Sequence, residues 1–213
     1  MHTGRPEYEL LAKLRTASPE KAQKTKINLI DEDEAAGDTA AVYAYFREQT
    51  GRRDVPGILK CFGTNPEFLR QMIDMSSSLL FVDGYLTRRQ KERIATLVSA
   101  RNSCPYCADS HGFFALVHGS TKDTLHHLLQ GRIAEAGLSP AEEQLLRFAQ
   151  AVNDESFKIT TEDVDELRKI GWKEEQIAEA VHVAAFMGFC NRVANAFGLP
   201  SQNFLTLKLG ENK

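Results

Sequence analysis

The residues with the clearest capacity for chemistry are nine in a row, Ser103-Cys104-Pro105-Tyr106-Cys107-Ala108-Asp109-Ser110-His111. Cysteines at i and i+3 at a helix start lie close enough to bridge, so Cys104 and Cys107 can cycle between dithiol and disulfide. His111 stands one turn beyond Cys107, where it can accept the thiol proton or stabilise the thiolate. At helical spacing Cys104, Cys107, Ala108, His111, Ala115 and His118 share one stripe, and Tyr106, Phe113 and Val117 lie opposite. A helix apolar behind and reactive in front is expected to be buried with one face on a pocket. Two effects compete over which sulfur attacks. The helix N-terminus favours a thiolate at Cys104, and His111 favours one at Cys107; spacing alone leaves the choice open.

Other uses of the same residues are weaker. A structural zinc site needs a second C-x-x-C or an H-x-x-x-H, which the sequence lacks. A single straight helix offering Cys104, Cys107, His111 and His118 is poor geometry for a tetrahedral ion, so no metal is expected. Nor is a bound cofactor, because there is no glycine-rich phosphate cradle and no dinucleotide fingerprint. Cys61 and Cys190 lie in apolar surroundings and are expected to be inert core thiols. His182 is expected to be a satisfied core histidine, Asn191 and Arg192 to make buried polar contacts between helices or subunits, and Met72 and Met75 to join a core stripe.

The elements that must position these residues have a helical period, and no run alternates with period two. Asn65-Pro66 opens a helix to about Phe81. Thr87 with Gln90 has capping-box spacing and opens the next, to about Ala100. Ser103 is expected to cap the cysteine helix, with Gly119 closing it. Ser139 opens a helix to about Val152, Thr160 or Thr161 one that ends near Gly171, and a long helix follows from about Lys173 to Phe197. A faint repeat relates Leu86–Asn102 to Leu138–Asn153, as a duplicated helical unit would. The acidic run Asp31-Glu32-Asp33-Glu34 suggests a solvated helix start. The expected organisation is an N-terminal extension over 1–35, a helical domain over 36–200 and a C-terminal tail over 201–213.

Bulk properties narrow the partners. The 213-residue chain is 42% hydrophobic and 26% charged, with net charge −3 and its basic residues scattered, which disfavours nucleic acid and anionic membranes. The stretch from Met1 to Glu20 has no apolar core and no small-residue cleavage site, so a cytoplasmic location is expected. In that setting the four cysteines are not a structural disulfide framework.

The motif, with its flanks, resembles the AhpD-like alkylhydroperoxidase group of the carboxymuconolactone decarboxylase superfamily. That group's pattern is a glutamate, eleven residues, C-x-x-C, three residues and a histidine; Glu92, Cys104, Cys107 and His111 match it in order and spacing. Val55-Pro56-Gly57-Ile58-Leu59, Asn65-Pro66-Glu67 and Phe189-Cys190-Asn191-Arg192-Val193-Ala194 further resemble the "peroxidase-related" branch, so the resemblance runs over about 27–200. It implies an all-α AhpD-like fold assembled into homo-oligomers such as trimers or hexamers. It also implies thiol-dependent peroxidase activity, with a peroxide substrate and a thiol or dithiol reductant. Cys107 would attack the peroxide, Cys104 would resolve the sulfenic acid as a disulfide, and Glu92 with His111 would relay protons. By periodicity alone Glu92 lies opposite the apolar face of Ile94, Leu97 and Val98 and would count as a surface residue; the motif spacing assigns it to the relay instead. One position departs from the pattern: well-known AhpD enzymes carry a histidine immediately before the second cysteine, and here it is Tyr106, a poor proton shuttle near neutral pH. A decarboxylase-like lyase on the same fold and a non-enzymatic disulfide redox sensor are the alternatives.

Overall fold

The computed structural model describes residues 5–14 and 24–207, and among these every regular element is helical. In chain order the helices are α1 (Pro6–Leu14), α2 (Gly37–Thr50), α3 (Gly57–Lys60), α4 (Pro66–Leu79), α5 (Arg88–Arg101), α6 (Pro105–Val117), α7 (Lys122–Leu128), α8 (Pro140–Glu155), α9 (Thr161–Lys169) and α10 (Glu174–Phe197). Four of the expected caps stand where the sequence put them. Asn65 accepts from the Phe68 N–H, Thr87 and Gln90 form a reciprocal capping box, and Ser139 and Thr160 cap α8 and α9. At the far end of α10, Gly198 takes a left-handed φ of 75°, which ends the helix before Leu199-Pro200.

The acidic run does not open a helix. Residues 32–34 form a turn, and α2 begins only at Gly37. Its first two carboxylates are spoken for: Asp31 meets Lys60 at 2.5 Å, and Glu32 meets Arg47 at 2.6 Å while accepting from the Val55 N–H at 2.9 Å. Those partners lie outside the run, and they hold it across α2 and α3 as a turn.

The centre of the molecule is α5, which packs against α6, α8 and α10. From Lys91 to Ser99 every residue of α5 is buried, charged ones included. Ile94, Leu97 and Val98 each contribute about 2 kcal/mol by leaving water. The charges are tolerated because each is paired. Lys91 is fully buried and meets Glu179 at 2.6 Å and the carbonyls of Leu79 and Val82 at 2.8 and 3.1 Å. Arg93 meets Glu142 at 2.7 Å and Ser120 at 3.0 Å. No helix among the described residues is long and apolar enough to cross a membrane. Two expectations fail at the surface. His182 and Met75 are exposed, because α10 and α4 turn those positions outward while Met72 stays in the core.

Candidate active site

The turn from α5 into α6 builds the sulfur site. Ser103, expected as the cap, instead adopts a positive φ of 50°, and Cys104 itself is the N-cap, extended at φ −102° and ψ 92°. Pro105 explains the shift: a proline disfavours helical geometry in the residue before it and is well placed at the first helical position. Cys104 is therefore set at the mouth of the helix, its N–H bonded to the Ser99 carbonyl at 2.9 Å and its own carbonyl accepting from Ala108 at 2.9 Å.

That placement divides the two thiols. The Cys107 thiol, the backbone N–H groups of Cys107 and Tyr106, and the Asn191 carboxamide together hold Cys104 below the ordinary thiol value, against the opposing effect of burial. Cys107 is pushed well above it, first by donating its proton toward Cys104 and then by burial. Of the two thiols, Cys104 is therefore the one that loses its proton first. Asn191 is fully buried; it donates to Ser99 Oγ at 3.0 Å and accepts from Asn102 Nδ2 at 3.0 Å, which fixes the carboxamide. Cys61 and Cys190 are buried, and burial pushes both up to about 12, as suits unreactive thiols.

On the other side, Glu92 is fully buried rather than on the surface. Its Oε2 lies 2.7 Å from His111 Nδ1, and its Oε1 accepts from Arg88 Nη2 at 2.5 Å. With Arg88 fixing the carboxylate as an acceptor, His111 Nδ1 is the donor and Nε2 is left free to take a proton. The same Arg88 nitrogen donates to Glu7 Oε1 at 3.0 Å, and Glu7 Oε2 meets His118 Nε2 at 3.3 Å. Burial raises the Glu7 carboxyl, but His118 and Arg88 lower it by more, to about 2. Glu92, Arg88 and Glu7 form one buried ionic chain leading to His111, with the half-buried His118 at its far end.

Cys107 and His111 both line a narrow cavity of about 80 Å³. Its walls are mostly apolar, with Phe46, Leu59, Phe81, Phe114, Phe186 and Met187 prominent. Tyr106 lines it too, but its Oη accepts from the Ile58 N–H at 3.2 Å, and burial pushes its phenol far above the ordinary value. It is a wall residue with a structural bond.

Residues 66–151, which hold Glu92, Cys104, Cys107 and His111, match the carboxymuconolactone decarboxylase family. That match spans the part of the chain that carries the whole motif. It is similar to the alkylhydroperoxidase AhpD core, an uncharacterized peroxidase-related protein from Ralstonia eutropha JMP134, with 23% identity, a TM-score of 0.75, and coverage of 87% of this chain and 96% of that one. An uncharacterized peroxidase-related protein from Silicibacter sp. TM1040 is 26% identical, with a TM-score of 0.74 over 88% of this chain and 97% of that one. The debrominase Bmp8, solved with 2,3,4-tribromopyrrole, shares the fold at 18% identity and a TM-score of 0.66, over 86% of this chain and 95% of that one. No curated protein matches by sequence.

The structure brings Glu92 to His111 and Cys104 to Cys107, as the motif spacing led one to expect, and it adds residues the motif does not contain. Arg88 sits at i−4 from Glu92, a spacing at which an ion pair is a standing possibility and so a signal available in sequence. Glu7 had no such signal: it arrives from α1, 85 positions before Glu92. Asn191, expected to serve between helices, also faces the sulfurs.

Proposed function

We propose that the protein is a thiol-dependent peroxidase of the AhpD type, acting on a peroxide at Cys107 with electrons from a thiol or dithiol reductant. The observation that carries this reading is that Cys107 and His111 share one cavity while Glu92 holds His111 at 2.7 Å, leaving Nε2 free. Cys107 gives up its proton to His111 Nε2 and attacks the terminal oxygen of R–O–O–H. The O–O bond breaks, the sulfur becomes a sulfenic acid, and the leaving alkoxide takes a proton from His111 and departs as R–OH. Cys104, the more acidic thiol of the pair, then gives up its proton and attacks the sulfenic sulfur. The disulfide forms, and hydroxide leaves as water, taking up the proton that Cys104 released. A dithiol returns two electrons and two protons by exchange. Cys104 fits the resolving role because it is buried and does not line the cavity, whereas Cys107 does. A homo-oligomer is part of this proposal, supported by the exposed rings of Phe68 on α4 and Phe189 on α10, which pack on each other and on the buried Phe62.

The test is turnover of cumene hydroperoxide with dithiothreitol or dihydrolipoamide by wild type, Cys104→Ser and Cys107→Ser. The expected result is turnover by wild type, none by Cys107→Ser, and one stoichiometric burst by Cys104→Ser. Full turnover by Cys107→Ser sinks the mechanism. A Cys104–Cys107 disulfide that forms without turnover replaces the enzyme with a redox sensor. Activity that survives thiol alkylation points to the lyase.

A further inference from the structure

The cavity beside Cys107 holds one feature that peroxide reduction does not require. In the loop between α2 and α3, Arg53 is exposed but Arg52 turns inward, is only 7% exposed, and lines the cavity. Its Nε and Nη2 donate to Asp54 Oδ1 and Oδ2 at 2.9 and 2.8 Å, a side-on pair. Its guanidinium carbon stands 5.2 Å from the centre of the Tyr8 ring, another cavity wall. Nη1 makes no hydrogen bond to another described residue, so its two N–H donors are open to a ligand.

Placing a guanidinium in an apolar wall is costly unless it is paired. Asp54 meets that cost from outside, its side chain 52% exposed. Burial lowers the Arg52 pKa, and Asp54 together with the Tyr8 and Tyr106 phenols raises it by more, so the group stays charged. A hydrogen peroxide channel needs neither the apolar walls nor the cation. A substrate with a hydrocarbon body and an anionic end uses both: the body fills the space between the phenylalanines, and a carboxylate completes the free edge of the guanidinium fork.

We infer that the cavity binds amphipathic carboxylates, with Arg52 taking the carboxylate and the apolar walls the hydrocarbon, so that the substrate is an organic hydroperoxide bearing a free carboxylate. The assignment of substrate rests on the peroxidase reading above; the binding site does not. Arg52 is a specificity residue, and an esterified lipid hydroperoxide lacks the group it reads.

The binding test uses octanoate and 1-octanol, which cannot be reduced. Octanoate is expected to slow iodoacetamide alkylation of Cys107 at a concentration about tenfold below that needed for octanol, the difference made by one charge-assisted contact. Arg52→Gln is expected to erase that preference, and Arg52→Lys to keep part of it. Asp54→Asn removes the competing carboxylate, leaves the cation, and is expected to tighten octanoate binding, which keeps the test decisive if Arg52→Gln folds poorly. Equal protection by octanoate and octanol in wild type, or weaker octanoate binding in Asp54→Asn, overturns the inference. The catalytic arm compares a fatty-acid hydroperoxide with its methyl ester: wild type is expected to favour the acid in kcat/KM by about tenfold, and Arg52→Gln to lose the preference. Octanoate preference without turnover of any peroxide leaves the binding site standing and removes the peroxidase reading. Turnover that is equal for acid and ester does the reverse.

Discussion

The two halves of the site are held by opposite means. His111 is fixed by ions: Glu92, Arg88 and Glu7 follow it in a buried chain at 2.5 to 3.0 Å, with the half-buried His118 3.3 Å beyond Glu7. The sulfurs are faced by neutral donors, namely backbone N–H groups and the Asn191 carboxamide, itself tied to Ser99 and Asn102. The difference follows from how the charge on each side behaves during a cycle. Glu92 and Arg88 can keep their charges throughout, so a full ion pair is never left open. The thiolate vanishes when the disulfide forms. A buried arginine in its place would then be left unpaired at a cost of several kcal/mol, whereas an amide loses one modest hydrogen bond. A strong cation would also make the thiolate a poorer nucleophile as its pKa fell. Permanent charges hold the group that must keep its tautomer, and neutral dipoles hold the group whose charge comes and goes.

The sharpest way to break this comparison is on the ionic side. Glu92→Gln keeps the shape and removes the acceptor, so His111 loses its fixed tautomer and Arg88 keeps only Glu7. Peroxide turnover is expected to fall by about 10²- to 10⁴-fold, the range of a lost acid–base relay, while the Cys104–Cys107 disulfide still forms with a chemical oxidant. Turnover within a few fold of wild type removes Glu92 from the relay. Arg88→Met strands two buried carboxylates and is expected to cost about 3–5 kcal/mol in urea unfolding. A loss below about 1 kcal/mol shows that the chain is not the scaffold described.

Glu7 gives that side a pH signature. Its folded pKa of about 2 lies below the ordinary 4.5, so its contribution is complete above pH 4.5 and is lost as pH falls toward 2. The shift is on the order of 3 kcal/mol. The Tm of Glu7→Gln is expected to lie below wild type at pH 6 and to approach it as pH falls through that window. Parallel curves refute the assignment.

On the neutral side the effect is smaller and appears in reactivity. Asn191→Asp swaps a donor for a carboxylate beside the sulfurs, which disfavours a second negative charge there. The pH midpoint for thiol alkylation is expected to rise, and the rate at pH 7 to fall about tenfold, corresponding to about one pKa unit. A purely structural role would change stability and leave that midpoint in place.

Helix ends and the reactive motif were legible because their signals are local. Asn65, Thr87, Ser139 and Thr160 cap helices within three residues of themselves, and the spacing from Glu92 to His111 is a property of two adjoining helices. What escaped is what depends on distant partners. The Arg88-Arg89-Gln90-Lys91-Glu92-Arg93 stretch has the composition of a solvated face, yet it opens the most buried helix, because Glu7, Glu179 and Glu142 arrive from α1, α10 and α8 to neutralise it. Periodicity cannot see those partners. Ser103 was misassigned as a cap for a local reason instead: the weight of Pro105 on Cys104 outranked the general preference for serine at that position. Arg52 carried no signal at all, since Arg52 and Arg53 differ only in which way a loop turns them.

The smallest expected effect concerns Tyr106, where the superfamily resemblance and the structure pull apart. The resemblance puts a relay histidine at that position in well-known AhpD enzymes, so a phenol there invites a proton-transfer role. The structure gives it another: Tyr106 Oη accepts from the Ile58 N–H at 3.2 Å, and burial makes its proton harder to lose. A group of that kind stabilises the loop beside the cavity and moves no proton at neutral pH. Tyr106→Phe is therefore expected to cost about 1 kcal/mol of stability, one hydrogen bond to a half-buried N–H, and to leave the pH profile of turnover unchanged. Loss of an ionisation from that profile, with stability intact, places Tyr106 in the relay and makes the proton path a three-residue one. An unchanged profile leaves Glu92 and His111 to carry it, with their fixed charges on one side and the neutral sulfur site on the other.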